Sequence, residues 1–291
     1  MKEEGAGGNA IKSSESINGR LAGEFGKKII DSIKNKLGID ACRLGSTGKK
    51  PDTQTSGDID IAIEMTYSDE NVNKITKFLH DEYGDVEICL IKGLRILSFG
   101  YKYEYENSSK IVQVDLMFCN DVRYAAFMYH SPNYINNESK FKGLFRTNLL
   151  IICASKMPVN TDKYPTEYYD DGEIKTFWKY SLSYSEGLRL VHKSYVGKSK
   201  RLKNPNTIKE DTIEVTKDID DIIHCVFGIN ATADNMNSFE SIVEYLYSDK
   251  YAYKSKERLD EIFTAFFDDS RHQGNDLITE QLHAEIDKYK K

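Results

Sequence analysis

The sequence lacks the features that mark secreted, disulfide-rich and membrane-spanning proteins. Its five cysteines are an odd number, with no Cys-x-x-Cys pair and no histidines at zinc spacing, so neither disulfides nor a zinc site are expected. No apolar run approaches the roughly 20 residues that a membrane helix needs, and the first residues lack the apolar segment of a signal peptide. We therefore predict a cytoplasmic protein with reduced cysteines and no membrane partner.

The sequence also lacks an excess of positive charge. Its net charge is -6, with 40% hydrophobic and 30% charged residues over 291 positions, which is typical of a globular protein with one large or two smaller domains. The negative balance argues against a protein that coats nucleic acid, but it allows a local basic groove. The composition identifies no protein partner.

Hydrophobic periodicity divides the chain into three predicted regions. Residues 1–18 are rich in Gly, Ser and charge and are predicted to form a disordered tail. In residues 19–150 the pattern indicates a helix, two strands, a second helix and three further strands, which predicts an α+β domain with helices on one face of a sheet. Residues 151–291 are predicted to form a mostly helical accessory domain, because their apolar residues recur at helical spacing.

Two aspartates interrupt an apolar run in DIDIAIE, residues 58–64. If this run is a strand, Asp58 and Asp60 share one face and the three isoleucines line the other. Two carboxylates whose Cα atoms lie about 6 to 7 Å apart repel each other without a partner. A divalent cation is such a partner, although a lone Asp-x-Asp can also be the solvated edge of a sheet.

A third carboxylate, Asp115, lies in the apolar run IVQVDLMF, where an unpaired charge is costly. Three carboxylates on two strands of one sheet can hold two Mg²⁺ ions roughly 3.5 to 4 Å apart, an arrangement that catalyses in-line phosphoryl transfer. One ion would activate an attacking hydroxyl, and the other would hold a triphosphate and stabilise the leaving pyrophosphate. The sequence therefore predicts two bound Mg²⁺ ions, with Mn²⁺ as an alternative.

A turn of small residues precedes the two aspartates. Gly45 and Ser46 would let backbone amides and a hydroxyl approach the phosphates of a nucleoside triphosphate, although Ser46 could also cap a helix. Lys49 and Lys50 would add positive charge to the same loop. These four residues form a predicted nucleotide-binding loop.

The order of these motifs resembles the nucleotidyltransferase superfamily that includes DNA polymerase beta. The stretch GSTGKKPDTQTSGDIDIAIE is most similar to the family X polymerases, which also run from Gly-Ser to Ser-Gly-Asp-x-Asp. The segments LIKGLRILSFGYK, VQVDLMF and VRYAAFMYHSPNYI resemble the region around the third aspartate of that family. The resemblance covers residues 20–150 and implies a polymerase-beta-like palm with a mixed sheet.

The resemblance also implies roles for individual residues. Asp58 and Asp60 would bind both metal ions, and Asp115 the ion that activates the acceptor hydroxyl. Ser46 would contact the triphosphate. Three more residues match positions near the nucleotide in that family: Tyr129, His130 and Arg146. The sequence departs from the family pattern at residues 131–133, and His130 and Arg146 could instead have structural roles.

The second half of the chain contains a basic stretch, VHKSYVGKSKRLKNPNT, residues 191–207. Basic residues around an aromatic residue suit a phosphate backbone and a stacked base, while a solvated loop is the alternative. The residues of this tentative nucleic-acid site are Lys193, Lys198, Lys200, Arg201 and Lys203.

Together these patterns predict a Mg²⁺-dependent nucleotidyltransferase that moves NMP or dNMP from a nucleoside triphosphate onto a hydroxyl, with release of pyrophosphate. The 3′ end of a nucleic acid is the favoured acceptor, because the motifs are most similar to polymerases. The alternative is nucleotidylation of a protein or small molecule, or synthesis of an oligonucleotide second messenger. The acidic balance favours that alternative, as does the short stretch before Gly45, where polymerases carry helix-hairpin-helix segments. A nucleotide-binding module without activity is a third hypothesis, but it would have no need for three repelling carboxylates.

Overall fold

The computed structural model describes residues 10–47, 53–129, 139–141, 143–195, 207–269 and 276–290. The chain divides into two compact units, residues 1–135 and residues 136–291. In the first unit the elements are, in chain order, β1 (Ile17–Asn18), α1 (Gly19–Leu37), β2 (Ala41–Arg43), β3 (Thr55–Ser56), β4 (Asp58–Glu64), α2 (Asp69–Tyr83), β5 (Ile88–Ile91), β6 (Ile96–Tyr105), β7 (Ser108–Cys119) and α3 (Val122–Met128).

The central sheet of the first unit has five strands in the order β2-β4-β7-β6-β5. Strands β4 and β7 pair in parallel, whereas β2 with β4, β6 with β7 and β5 with β6 pair antiparallel. The sheet is therefore mixed, and the predicted α+β class is confirmed.

Both long helices of this unit begin and end at residues that the sequence marks. The side chain of Asn18 accepts hydrogen bonds from two backbone amides at the start of α1, and Gly38 ends the helix in the left-handed region. Ser68 caps α2 in the same way, and Gly84 follows its last residue. The two helices that the sequence predicts in this unit are therefore present.

The apolar core of the first unit lies between α1, α2 and one face of the sheet. Ile59, Ile61 and Ile63 of β4 are completely buried on this face, together with apolar residues of α1 and α2. Because side chains alternate along a strand, the aspartates of β4 point to the opposite face. The burial of the isoleucines therefore fixes the direction of the carboxylates.

The amino-terminal segment is only partly the tail that the sequence predicts. Residues 1–9 lie outside the described residues, but Ile11 and Ile17 are each 1% exposed, and β1 pairs antiparallel with β3. The prediction of disorder is thus wrong for residues 10–18. Ile11 and Ile17 are too few to produce a hydrophobic periodicity in the sequence, but both side chains are buried in the first unit.

The second unit combines helices with a four-stranded antiparallel sheet of order β11-β10-β9-β8. Its elements are α4 (Gly143–Ser155), β8 (Glu167–Tyr168), β9 (Ile174–Ser183), β10 (Gly187–Tyr195), β11 (Thr207–Thr216), α5 (Ile219–Phe227), α6 (Phe239–Tyr247), α7 (Lys256–Phe267) and α8 (Asp276–Asp287).

The sequence analysis predicts the helices of this unit but misses its sheet. Lysines and serines alternate irregularly with aromatic residues in β9 and β10, so these strands show no clear period of two. The predicted domain boundary between residues 150 and 151 falls inside α4. The division of the chain into two units falls instead between residues 135 and 136.

Each of the five cysteines is a free thiol, and three of them are buried. Across the parts of the chain that the structure describes, no helix combines the length and the apolarity needed to cross a bilayer.

Replacing Ile17 by Ala tests the packing of the amino-terminal segment. The substitution removes a buried side chain from the core, so it should lower the free energy of unfolding by about 2 to 4 kcal/mol in a urea titration followed by circular dichroism. Leu94→Ala, at a side chain that is 44% exposed, is the matched control and should change it by less than about 0.5 kcal/mol. If Ile17→Ala changed the free energy of unfolding as little as Leu94→Ala, the result would contradict the packing of residues 10–18.

Candidate active site

Three carboxylates meet on the face of the central sheet opposite the core. The parallel register of β4 and β7 places Asp60 directly beside Asp115 and Asp58 beside Gln113. One carboxylate oxygen from each of Asp58, Asp60 and Asp115 lies within 4.8 Å of the others. The structure thus brings together the three aspartates that the sequence analysis selected, and this spacing would allow them to bind the same cation.

Asp115 is the most buried of the three, with 7% exposure. Burial raises the pKa of Asp115 above its ordinary value, and the negative charge of Asp58 adds to that increase, while hydrogen bonding from Gln113 opposes it. The carboxylate is therefore held in a place that disfavours its charge. A bound cation would remove this penalty.

Gln113 orients the Asp115 carboxylate. Its Nε2 donates to both oxygens of Asp115, at 3.0 and 3.1 Å, and its Oε1 accepts a hydrogen bond from the backbone amide of Ile11 at 3.1 Å. The amino-terminal segment therefore fixes which end of the Gln113 amide faces the aspartate. Gln113 is not among the site residues predicted from the sequence, although it is a polar residue two positions before Asp115 and so lies on the same face.

The turn that contains Gly45 is built against Asp60. The backbone amide of Leu44 donates to the carbonyl of Asp60 at 2.9 Å, and the amide of Asp60 donates to Thr47 Oγ1, also at 2.9 Å. Gly45 has φ +54°, and a Cβ added there would overlap Asp60 Oδ2. Glycine is required at this position both for the backbone conformation and for the close approach to the carboxylate.

Of the other residues predicted to bind nucleotide, two lie in or beside the Gly45 turn and three lie outside the described residues. Ser46 is half-buried in the turn after Gly45, and the carbonyl of Tyr129, at the end of α3, accepts from the amide of Gly45 at 3.1 Å. Lys49, Lys50 and His130 lie outside the described residues.

Arg146 belongs to the second unit, on α4. Its side chain is 1% exposed, and its Nε donates to the carbonyl of Met236 at 2.6 Å. This contact gives Arg146 a structural role within its own unit. A role at the nucleotide stays a prediction.

The predicted basic stretch is described only in part. Lys193 lies on β10, and its Nζ donates to Thr207 Oγ1 at 3.4 Å. The other four residues of the prediction lie outside the described residues: Lys198, Lys200, Arg201 and Lys203.

Comparison with known proteins gives matches among solved structures only. No protein-family model matches the chain. No curated protein sequence matches it either. Polymerase beta of Leishmania infantum, in a ternary P/T complex, matches with 14% identity and a TM-score of 0.41, and the alignment covers 77% of each chain.

Two further matches cover less of this chain. An antigenic nucleotidyltransferase-like protein from Paracoccidioides brasiliensis is 12% identical, with a TM-score of 0.29 and coverage of 51% of this chain and 73% of the other. A cytoplasmic RNA terminal U-transferase is also 12% identical, with a TM-score of 0.26 and coverage of 52% and 56%. At such low identities and TM-scores, the functional inference depends on the residues of the site.

Gly45→Ala should disrupt the carboxylate cluster, because the added Cβ would displace Asp60 and strain a left-handed residue. Calorimetric titration with Mn²⁺ should show binding at least about tenfold weaker than in the unchanged protein. Gly57→Ala is the matched control, since a Cβ at Gly57, directly before Asp58, has no atom within 4 Å. Equal Mn²⁺ affinities of the two variants would contradict the role given to Gly45.

Asp115→Asn should stabilise the metal-free protein at neutral pH. Because the native pKa of Asp115 is raised, the native state binds a proton more readily than the unfolded chain, and this group's contribution to stability falls as pH rises through the native pKa. In EDTA, the variant's advantage in melting temperature should therefore be largest at pH 7 and should shrink towards about pH 4, near the unfolded pKa.

The matched control for this pH series is Asp31→Asn, which removes an exposed carboxylate from α1. Its melting temperature should follow that of the unchanged protein across the same pH range. A constant difference between the unchanged protein and Asp115→Asn at every pH would contradict an electrostatic penalty at Asp115.

Proposed function

We propose that the protein is a divalent-metal-dependent nucleotidyltransferase. It transfers a nucleoside or deoxynucleoside monophosphate from a triphosphate to a hydroxyl, and pyrophosphate leaves. The observation that carries this proposal is the meeting of Asp58, Asp60 and Asp115 on one face of a mixed sheet, with one oxygen of each within 4.8 Å. The Gly45 turn beside Asp60 supports it, because it places backbone close to the same carboxylates.

The chemistry of the donors fits Mg²⁺, with Mn²⁺ as an alternative. All three side chains offer carboxylate oxygens, the ligands that these hard cations prefer. The raised pKa of Asp115 also fits, since a cation would compensate a buried charge that its surroundings disfavour. We propose that Asp58 and Asp60 bind two ions and that Asp115 binds one of them.

Two bound ions would supply activation of the acceptor hydroxyl and stabilisation of the leaving pyrophosphate. The chain itself supplies the positions of the ligands. Gln113 holds the plane of the Asp115 carboxylate, and the Leu44 and Thr47 hydrogen bonds hold the backbone of Asp60. Ser46, in the turn beside Asp60, is the residue that we propose to contact the triphosphate.

For the acceptor we propose the 3′ end of a nucleic acid. Support comes from the sequence motifs, which are most similar to polymerases. Nucleotidylation of a protein or small molecule, or synthesis of an oligonucleotide second messenger, would use the same carboxylates, and the transfer assay separates these outcomes.

The assay incubates the full chain with Mg²⁺ or Mn²⁺ and each α-³²P-labelled NTP and dNTP. Single-stranded DNA, duplex DNA, tRNA or no acceptor is added, and the products are separated on denaturing gels and by thin-layer chromatography. Label on the 3′ end of a nucleic acid is the expected result. Label on the protein, or in a small product, would show that the acceptor is not a nucleic acid, while nucleotidyl transfer itself would still be supported.

Substitutions at the cluster should abolish the transfer. Asp58→Asn and Asp115→Asn are each expected to reduce the rate by about 10²- to 10³-fold or more, because each removes a ligand from the site that stabilises the transition-state charge. Asp31→Asn, at an exposed carboxylate of α1, should keep the rate within about twofold. Transfer that persists in both cluster variants would contradict the proposed function.

A further inference from the structure

One face of the sheet in the second unit carries two aromatic side chains and three lysines for which the described residues provide no ion pair. The antiparallel register of β9 and β10 places Phe177 opposite Lys193 and Lys179 opposite Val191. Since alternate residues of a strand share a face, Phe177 and Lys179 lie on the same face as Lys193 and Tyr195. Strand β11 adds Lys209 directly opposite Lys193. We call these residues the lysine face: Phe177, Lys179, Lys193, Tyr195 and Lys209.

Within the part of the chain that the structure describes, no carboxylate forms an ion pair with the three lysines of this face. Among the described residues, the ammonium groups of Lys179 and Lys209 form no ion pair, and the Lys193 ammonium donates only to the hydroxyl of Thr207. By contrast, neighbouring Lys175 is paired with Glu167 at 3.6 Å. Lys193 and Lys209 lie directly opposite each other on paired strands. Like charges in this arrangement repel each other and destabilise a sheet. Such repulsion is relieved when an anion binds.

The surroundings of Lys179 show the same unbalanced charge. Burial lowers the pKa of Lys179 from its ordinary value, and the charges of Lys193 and of Lys156, just beyond the end of α4, lower it further. Among the described residues, the two charges that shift this pKa are both positive. Lys156 therefore adds a fourth positive charge near the lysine face.

The face also offers aromatic surface. The rings of Phe177 and Tyr195 lie with their centroids 5.2 Å apart and their planes inclined by 32°. Both side chains are half-buried, so part of each ring remains accessible. An aromatic ring of this kind can stack on a nucleobase, whichever base it is.

From these observations we propose that the lysine face binds single-stranded nucleic acid. Its lysines would contact successive phosphates, and Phe177 or Tyr195 would stack on a base. Adjacent strands are about 4.8 Å apart, so the ligand must carry several closely spaced negative charges, as a nucleic-acid strand does. An acidic peptide could neutralise the lysines, but it would leave the aromatic pair without a flat partner.

This binding is independent of the transfer reaction proposed for the first unit. All of the residues involved belong to the second unit, and the binding needs neither nucleoside triphosphate nor metal. It can therefore be measured in EDTA on the full chain, and its failure would leave the carboxylate cluster untouched.

The test measures fluorescence anisotropy of a labelled 12-nucleotide oligo(dT) or oligo(U) with the full chain, in EDTA, over a range of salt concentrations. The triple variant Lys179→Gln, Lys193→Gln, Lys209→Gln should bind at least about tenfold more weakly than the unchanged protein. Its plot of log Kd against log salt should lose about two units of slope, because each phosphate contact in a single strand contributes about 0.7.

A second triple variant controls for net charge. Lys217→Gln, Lys254→Gln, Lys290→Gln removes three positive charges from the same unit, but each of these lysines is paired with a carboxylate. Its Kd should stay within about twofold of the unchanged protein. Equal weakening by the two triple variants would overturn the proposal, because it would show that only the total charge matters.

The aromatic part of the proposal is tested separately. Phe177→Leu and Tyr195→Leu should together weaken binding by about tenfold while the salt slope stays the same, since stacking is not ionic. Neither change should alter binding of polyphosphate of equal charge. Two results together would overturn the proposal. The unchanged protein would bind polyphosphate or a polyglutamate peptide as tightly as the oligonucleotide, and the Phe177→Leu, Tyr195→Leu variant would have the same Kd for each of these ligands.

A single exposed substitution guards against loss of folding. Lys209 lies on the edge strand β11 and is exposed, so Lys209→Glu cannot disturb the core. This variant should keep the circular dichroism spectrum and still bind the oligonucleotide at least about threefold more weakly. Unchanged affinity would contradict the proposal.

Discussion

The parallel pairing of β4 with β7 is the constraint on which the candidate site depends. It places Asp60 beside Asp115 and Asp58 beside Gln113, although the two strands are far apart in sequence. The isoleucines of β4 alternate with its aspartates and are buried against α1 and α2. Hydrophobic burial on one face therefore determines where the charges lie on the other. A shift of register by one residue would move the carboxylates into the core.

The carboxylates so placed are unfavourable to the metal-free protein, and the surrounding structure compensates for this. Gln113 donates twice to Asp115, and Ile11 holds Gln113 in the required orientation. The Gly45 turn approaches Asp60 so closely that no side chain fits between them. A cation bound among the three carboxylates would offset their mutual repulsion. The reaction that we propose for this face is therefore cation-dependent.

Much of this first unit could be predicted from the sequence, because its signals are local. The alternation in DIDIAIE predicts both the buried and the charged face of β4, and the helical spacing of apolar residues predicts α1 and α2. The pairing of Asp58 and Asp60 with Asp115 was also predictable, since a charge inside an apolar strand needs a partner.

Other features could not be predicted because they depend on contacts between distant segments. The burial of Ile11 and its hydrogen bond to Gln113 join positions 102 residues apart. The sheet of the second unit was missed because lysines and serines obscure the alternation in β9 and β10. The lysine face follows from the register of that sheet, which brings Lys193 opposite Lys209 only once the strands pair.

We propose that Asp58, Asp60 and Asp115 form a site for two divalent cations. Electron paramagnetic resonance of Mn²⁺ bound to the full chain, with a non-hydrolysable nucleoside triphosphate present, tests it most directly. We expect two ions per chain whose spins couple as at a separation of about 3.5 to 4 Å, and we expect the coupling to disappear in Asp115→Asn. A spectrum of uncoupled Mn²⁺, or one that Asp115→Asn leaves unchanged, would contradict the claim.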